Sequence, residues 1–133
     1  MSGVNLDQLC AQYGYAMCQA VGNAFKNKDG KVDKARTENH ITKSLGVLQE
    51  DGVYAFFLYQ VSRGAREKPG AEKLRDQAKE LFKEAGIKGF ENATDPLQAV
   101  RDQLASDLDQ LLLAKHLLEQ ALIYARYHAK ALG

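Results

Sequence analysis

Apolar residues recur every three or four positions along most of this chain, the period of a helix with one buried face. In the opening stretch Leu6, Leu9, Tyr13, Met17, Ala20 and Ala24 keep that spacing, flanked by Cys10, Ala16 and Val21. Asp7, Gln8, Gln12, Gln19 and Asn23 fall on the other side. Asn5 stands at the N-cap with Gln8 three residues on, the capping-box order, and the helix runs to near Phe25. Asn27 to Gly30 reads as a turn. Asp33 can cap a second helix through Ile41, Leu45 and Leu48, which Asp51-Gly52 interrupts. Val53 to Tyr59 is an unbroken apolar run with no second strand candidate to pair with it. It is therefore read as a buried helix beyond a break at Gly52.

Ser62 to Gly70 reads as a polar loop, and Ala71, Leu74, Ala78, Leu81, Phe82 and Ala85 mark the next helix, closed by Gly86. Its outer face carries opposite charges at i,i+3: Glu72–Arg75, Asp76–Lys79 and Glu80–Lys83. That is the pattern of a solvated face. Asp95-Pro96 gives a cap followed by proline at the first helical position. The strongest period follows: Leu97, Val100, Leu104, Leu108, Leu111, Lys115, Leu118, Leu122, Ala125, Ala129 and Leu132, with one break near Ser106. Leu112, Leu113 and Leu117 widen this stripe enough to touch two neighbours. The pattern predicts one long helix, or a short one joined to a long one. The expected fold is all-α, a compact bundle of four to six helices with a long C-terminal helix, in one domain over 1–133.

Composition narrows the possibilities. Hydrophobic residues at 45% and charged residues at 26% are globular proportions, so disorder is not expected. With 18 Lys and Arg against 17 Asp and Glu, the net charge of +1 argues against a free-standing nucleic-acid binder, yet permits a local basic patch. Cys10 and Cys18 lie about two helical turns apart, too far to bridge within a regular helix, and read as reduced core thiols of a cytoplasmic protein. No signal-peptide pattern opens the chain, and its longest apolar run is far short of a membrane span.

Few constellations suggest chemistry. Setting Gly30 on the invariant glycine of a calcium loop puts Phe25 at the first ligand and Arg36 at the bidentate acid, and neither ligates calcium. His116 and Glu119 form a single acid–histidine pair where a di-iron bundle needs two such motifs and two further acids. Cys10 and Cys18 have no histidine at ligand spacing, and no glycine-rich phosphate cradle or nucleophile elbow occurs. Helical ribonucleases of the HEPN group separate Arg and His by four to six residues. Here Arg36 and His40 have three between them and Arg126 and His128 one. No catalytic residue, metal site or cofactor is therefore expected. What remains is charge: Lys26, Lys28, Lys31, Lys34 and Arg36 crowd the first turn against Asp29 and Asp33, and Arg63, Arg66 and Lys68 form a second cluster beside Glu67. Phosphate contact needs converging cations and no fixed spacing, so these clusters, Lys26 to Arg36 and Arg63 with Arg66, are the candidate nucleic-acid contacts. An ordinary solvated loop is the competing reading.

Three stretches together resemble the small helical subunit of type III CRISPR effector complexes, the Cmr type in particular. They are Gln12-Tyr13-Gly14-Tyr15-Ala16-Met17-Cys18-Gln19-Ala20-Val21, the segment from Leu45-Gly46-Val47 through Asp51-Gly52-Val53 to Phe57-Leu58, and the last helix with Leu118, Leu122, Tyr124, Arg126 and Ala129. Leu45, Asp51 and Tyr124 stand where that family often has Pro, Asn and Trp, which leaves a neighbouring subtype open. The resemblance implies a non-catalytic subunit that stacks in several copies along the channel where guide RNA pairs with target RNA. Its partners would be other effector subunits, further copies of itself and the RNA phosphate backbone, without a membrane. A helical homodimeric interaction module and a helical ribonuclease are the alternatives.

Overall fold

The computed structural model describes residues 5–132, so residues 1–4 and 133 of the expected domain lie outside the described residues. Six α-helices follow one another: α1 (Leu6–Ala24), α2 (Lys34–Asp51), α3 (Val53–Val61), α4 (Lys68–Glu84), α5 (Pro96–Asp102) and α6 (Leu108–Lys130), with a 3-10 turn at Leu104–Ser106. The described residues contain no strand, only an isolated bridge between Lys26 and Val32. The fold is all-α with a long last helix.

The caps explain where most helices start. Asn5 Oδ1 accepts from the Gln8 amide at 3.0 Å, Asp33 Oδ1 from the Arg36 amide at 3.1 Å, and Asp95 Oδ1 from the Leu97 amide at 3.0 Å. Each satisfies one amide that a helix start leaves without a partner. Asp107 does the same for Gln110 at 3.2 Å, so α5 and α6 are two helices and not one. Gly52, at φ +96°, separates α2 from α3 in a conformation that a side chain would strain.

α1 packs chiefly on α6 and α4, and α2 on α6 and α3. Helices α1 and α6 run parallel: Cys10 Sγ reaches the Leu117 carbonyl at 3.5 Å, while Gly14 sits against Ala121, Tyr124 and Ala125. Any Cβ at position 14 would fall 2.9 Å from the Ala121 carbonyl oxygen, so glycine sets how closely these two axes approach. Helix α2 runs antiparallel to α6, with Glu38 paired to Lys130 at one end and Gln49 bonded to Glu119 toward the other. At the centre Phe57, Phe82 and Phe90 pack with ring centroids 5.1 to 6.1 Å apart. That geometry adds about 0.5–1.5 kcal/mol per pair beyond the area buried. Cys10 and Cys18 are buried and unpaired, and burial raises both thiol pKa values, which keeps them protonated.

Three expectations need correction, while the charged face of α4 is solvated as its pattern implies. The loop after Ser62 is shorter than its polarity suggests, because α4 begins at Lys68. Pro69 sits in the first turn, where its missing amide costs nothing. The i,i+3 charge pairs along α4 do not form; its one ion pair among the described residues is Arg75–Asp76 at 3.0 Å. Exposed pairs gain too little in water to hold two long side chains in place. Leu108 and Leu112 are 66% and 57% exposed, since the break at Asp107 resets the phase of the stripe. Finally, only one face of Val53–Tyr59 is fully buried, and Leu58 is 46% exposed, as expected for a helix on the rim of a bundle.

Candidate nucleic-acid interface

The turn between α1 and α2 is tied down by its own polar groups. Asn27 Oδ1 accepts from the Asp29 amide at 2.9 Å and the Lys31 amide at 3.1 Å. The Asn27 amide donates to the Lys31 carbonyl at 2.7 Å, and the Asp33 amide to the Phe25 carbonyl at 3.1 Å. Gly30 turns the chain at φ +77°. Lys26, Lys28 and Lys31 on this short hairpin-like turn, and Lys34 at the first position of α2, are all exposed. Among the described residues none of the four is within 4.0 Å of a carboxylate.

The two basic clusters converge in part. Arg36 from α2, Arg63 from the end of α3 and Arg66 from the α3–α4 loop line one cleft, and Lys43 and Asn39 of α2 join them. Its volume is about 150 Å³. The Arg36 guanidinium lies 4.3 Å over the Phe25 ring and donates to the Arg66 carbonyl at 2.6 Å. Arg63 lies 3.8 Å over the Tyr59 ring and donates through Nε to the Tyr59 carbonyl at 3.0 Å. Stacking on an aromatic face suits the planar guanidinium and fixes its orientation before any ligand arrives. Glu67 is the one acid on the lining, and among the described residues no carboxylate comes within 4.0 Å of Arg36, Lys43, Arg63 or Arg66. The four lysines do not line the cleft; they adjoin it through Phe25, the residue before Lys26.

His40 lies at the bottom of the cleft and is 3% exposed. Its Nε2–H donates to Gln60 Oε1 at 2.8 Å, and Gln60 in turn donates to Ser44 Oγ at 2.9 Å. Burial holds the imidazole below its ordinary pKa, with the Arg63 and Lys43 charges pushing the same way and the Gln60 bond and Glu67 opposing. The ring is therefore neutral at pH 7, a packed group with one nitrogen already committed. Of the spacings considered in the sequence, Arg36 and His40 do share this cleft.

Lys43 and Tyr59 are the contributions that charge clusters alone overlook. Lys43 lies seven residues after Arg36, two helical turns along the same face, with His40 between them. That i, i+4, i+7 order is visible in the sequence. The placement of Arg63 opposite it is not, since it depends on the Gly52 corner. No group of three or more His, Cys, Asp or Glu side chains is gathered as metal ligands among the described residues, and none of their helices is long and apolar enough to cross a membrane. No protein-family model, curated protein or solved structure matches the chain.

Proposed function

We propose that this protein is a non-catalytic, RNA-contacting helical subunit of a ribonucleoprotein of the type III CRISPR effector kind. The observation that carries the reading is the meeting of Arg36, Lys43, Arg63 and Arg66 around one cleft, beside a turn and helix start that carry four exposed lysines. Cations so placed hold phosphates without reading bases, which suits a subunit whose partner strand varies in sequence. The near-neutral whole chain fits a component whose RNA affinity comes from repetition in an assembly, where several weak contacts add up. Leu108 and Leu112 supply exposed apolar surface at the start of α6, of the sort a neighbouring subunit or a further copy buries. The subunit has no catalytic part of its own in this reading, and the buried His40 serves packing.

The test is affinity purification of the tagged chain from its native cells, followed by sequencing of the bound RNA. The expected result is a large particle holding short guide RNAs with a common repeat-derived end. A free homodimer without RNA would sink the proposal and favour the interaction module. Cleavage of RNA by the purified chain, lost on mutating His40, His116 or His128 singly, would favour the ribonuclease instead.

A further inference from the structure

The cleft is more selective than a basic surface needs to be. Each stacked arginine has part of its fork tied to the protein: Arg36 Nη2 to the Arg66 carbonyl, Arg63 Nε to the Tyr59 carbonyl and Arg63 Nη2 to Ser62 Oγ at 3.2 Å. The rest of both forks, and the whole heads of Arg66 and Lys43, have no protein acceptor among the described residues. Four cationic residues thus line one small space together with Phe25, His40 and Tyr59. Glu67 is the one acid among the lining residues, so an entering anion relieves most of the cations' mutual repulsion. At about 150 Å³ the space has room for a tetrahedral oxyanion with waters around it.

We propose that this cleft is a seat for a single phosphate monoester, and that on RNA it takes a terminal phosphate, not a diester within the chain. The proposal rests on the phosphate-contact reading above and narrows it. A monoester carries a charge of about −1.5 to −2 and presents three acceptor oxygens. A phosphodiester carries one charge and has two free oxygens. Converging guanidiniums and an ammonium reward the difference, and the arginine fork matches the spacing of two phosphate oxygens. From the seat, the lysines beyond Phe25 are placed to meet the diesters that follow. The same chemistry fits the phosphate of a free phosphorylated small molecule, and the experiment separates the two sources.

The full-length protein is titrated at low salt with a short oligoribonucleotide in three forms, with a 5′-phosphate, with a 3′-phosphate and with neither. Inorganic phosphate is added separately while backbone amide signals of the cleft are followed by NMR. The expected result is about tenfold tighter binding of one phosphorylated form, the worth of one or two charge-assisted hydrogen bonds. Inorganic phosphate should compete and should shift the signals around Arg36, His40 and Arg63. The double substitution Arg63→Gln with Lys43→Gln should erase the preference while the protein keeps its helicity and melting point. Phosphate-induced shifts with three equal affinities would keep the seat, assign it to a free phosphorylated compound and overturn the RNA-end assignment. No shifts and three equal, salt-sensitive affinities would overturn the seat and leave backbone contact standing. Neither shifts nor RNA binding would overturn both.

Discussion

Aromatic rings do two different things in this molecule. Around Phe57 they meet one another: Phe56, Phe82 and Phe90 close edge to face or stacked on it, all with at most 1% exposure. Around Arg36 and Arg63 the rings of Phe25 and Tyr59 meet guanidinium groups instead. In the first region the rings displace water and give the bundle its cohesion. In the second the buried Phe25 and the half-buried Tyr59 each carry a guanidinium over one ring face. Partner, not residue type, decides whether a ring stabilises the fold or prepares a binding surface.

The largest effect should come from emptying the first region. Phe57→Ala should cost about 3–5 kcal/mol, and Leu118→Ala on the order of 3 kcal/mol, each through the cavity left in a close-packed core. Urea unfolding followed by circular dichroism measures both. A loss below 1 kcal/mol for Phe57→Ala would mean the ring cluster is not the cohesive centre.

A pH-dependent loss comes next, from the group that lies under the second region. His40 is neutral in the fold with its pKa lowered by burial, so the unfolded chain takes up its proton first. Stability from this group is therefore complete above its ordinary pKa of 6.5 and declines as pH falls below it. The slope from one such group is at most about 1.4 kcal/mol per pH unit. Comparing the wild type with His40→Gln between pH 7 and 5, as a window of about two units, should show the variant losing less. Equal slopes would place the imidazole in contact with solvent.

Smaller still is the coupling between ring and cation. A double-mutant cycle of Phe25→Leu and Arg36→Gln should give a coupling of about 0.5–1 kcal/mol, since leucine keeps much of the buried bulk but offers no ring face. Zero coupling would reduce the stacked arginine to coincidence. The smallest change in stability should follow from replacing Lys26, Lys28, Lys31 and Lys34 together with Glu. Among the described residues these exposed side chains make no ion pairs, so melting should stay almost constant. RNA retention should nonetheless fall alike for all sequences, and log affinity should lose salt dependence by about 0.7 per phosphate contact removed. Unchanged retention by an assembled complex would make the turn an ordinary solvated loop.

What could be read in the sequence follows the same division. Period and caps reach the core: Asn5, Asp33, Asp95 and the Gly52 break stand where their residue types placed them, and Phe57 and Leu118 are fully buried. Local rules failed where a restart or a neighbour intervened. Leu108 kept the apolar spacing across a break that changed its direction, and α4 reached back through a proline into a stretch that looked like loop. For the basic residues, each cluster was legible by composition, but their meeting was not. Arg63 and Arg66 come to Arg36 because α3 doubles back beside α2 after Gly52, and no spacing in the sequence encodes a distance across that corner.

The parallel pairing of α1 with α6 bears on how the chain acquires its structure. The largest shared surface joins the first helix to the last, with Gly14 fitted against Ala121 and Tyr124 across more than a hundred residues of intervening chain. Closing so long a loop is slow compared with forming a neighbouring helical hairpin. During synthesis α4 can cover one side of α1 early, but the side carrying Cys10 and Gly14 stays open until residues 108–130 are out. Helices α2 to α4 can meet early, since each packs on the one before it. Docking of α6 against α1 and α2 is then the late step. A ribosome stalled just before Leu108 should therefore hold an α1 covered on its α4 side alone, more protease-sensitive than after the last helix is out.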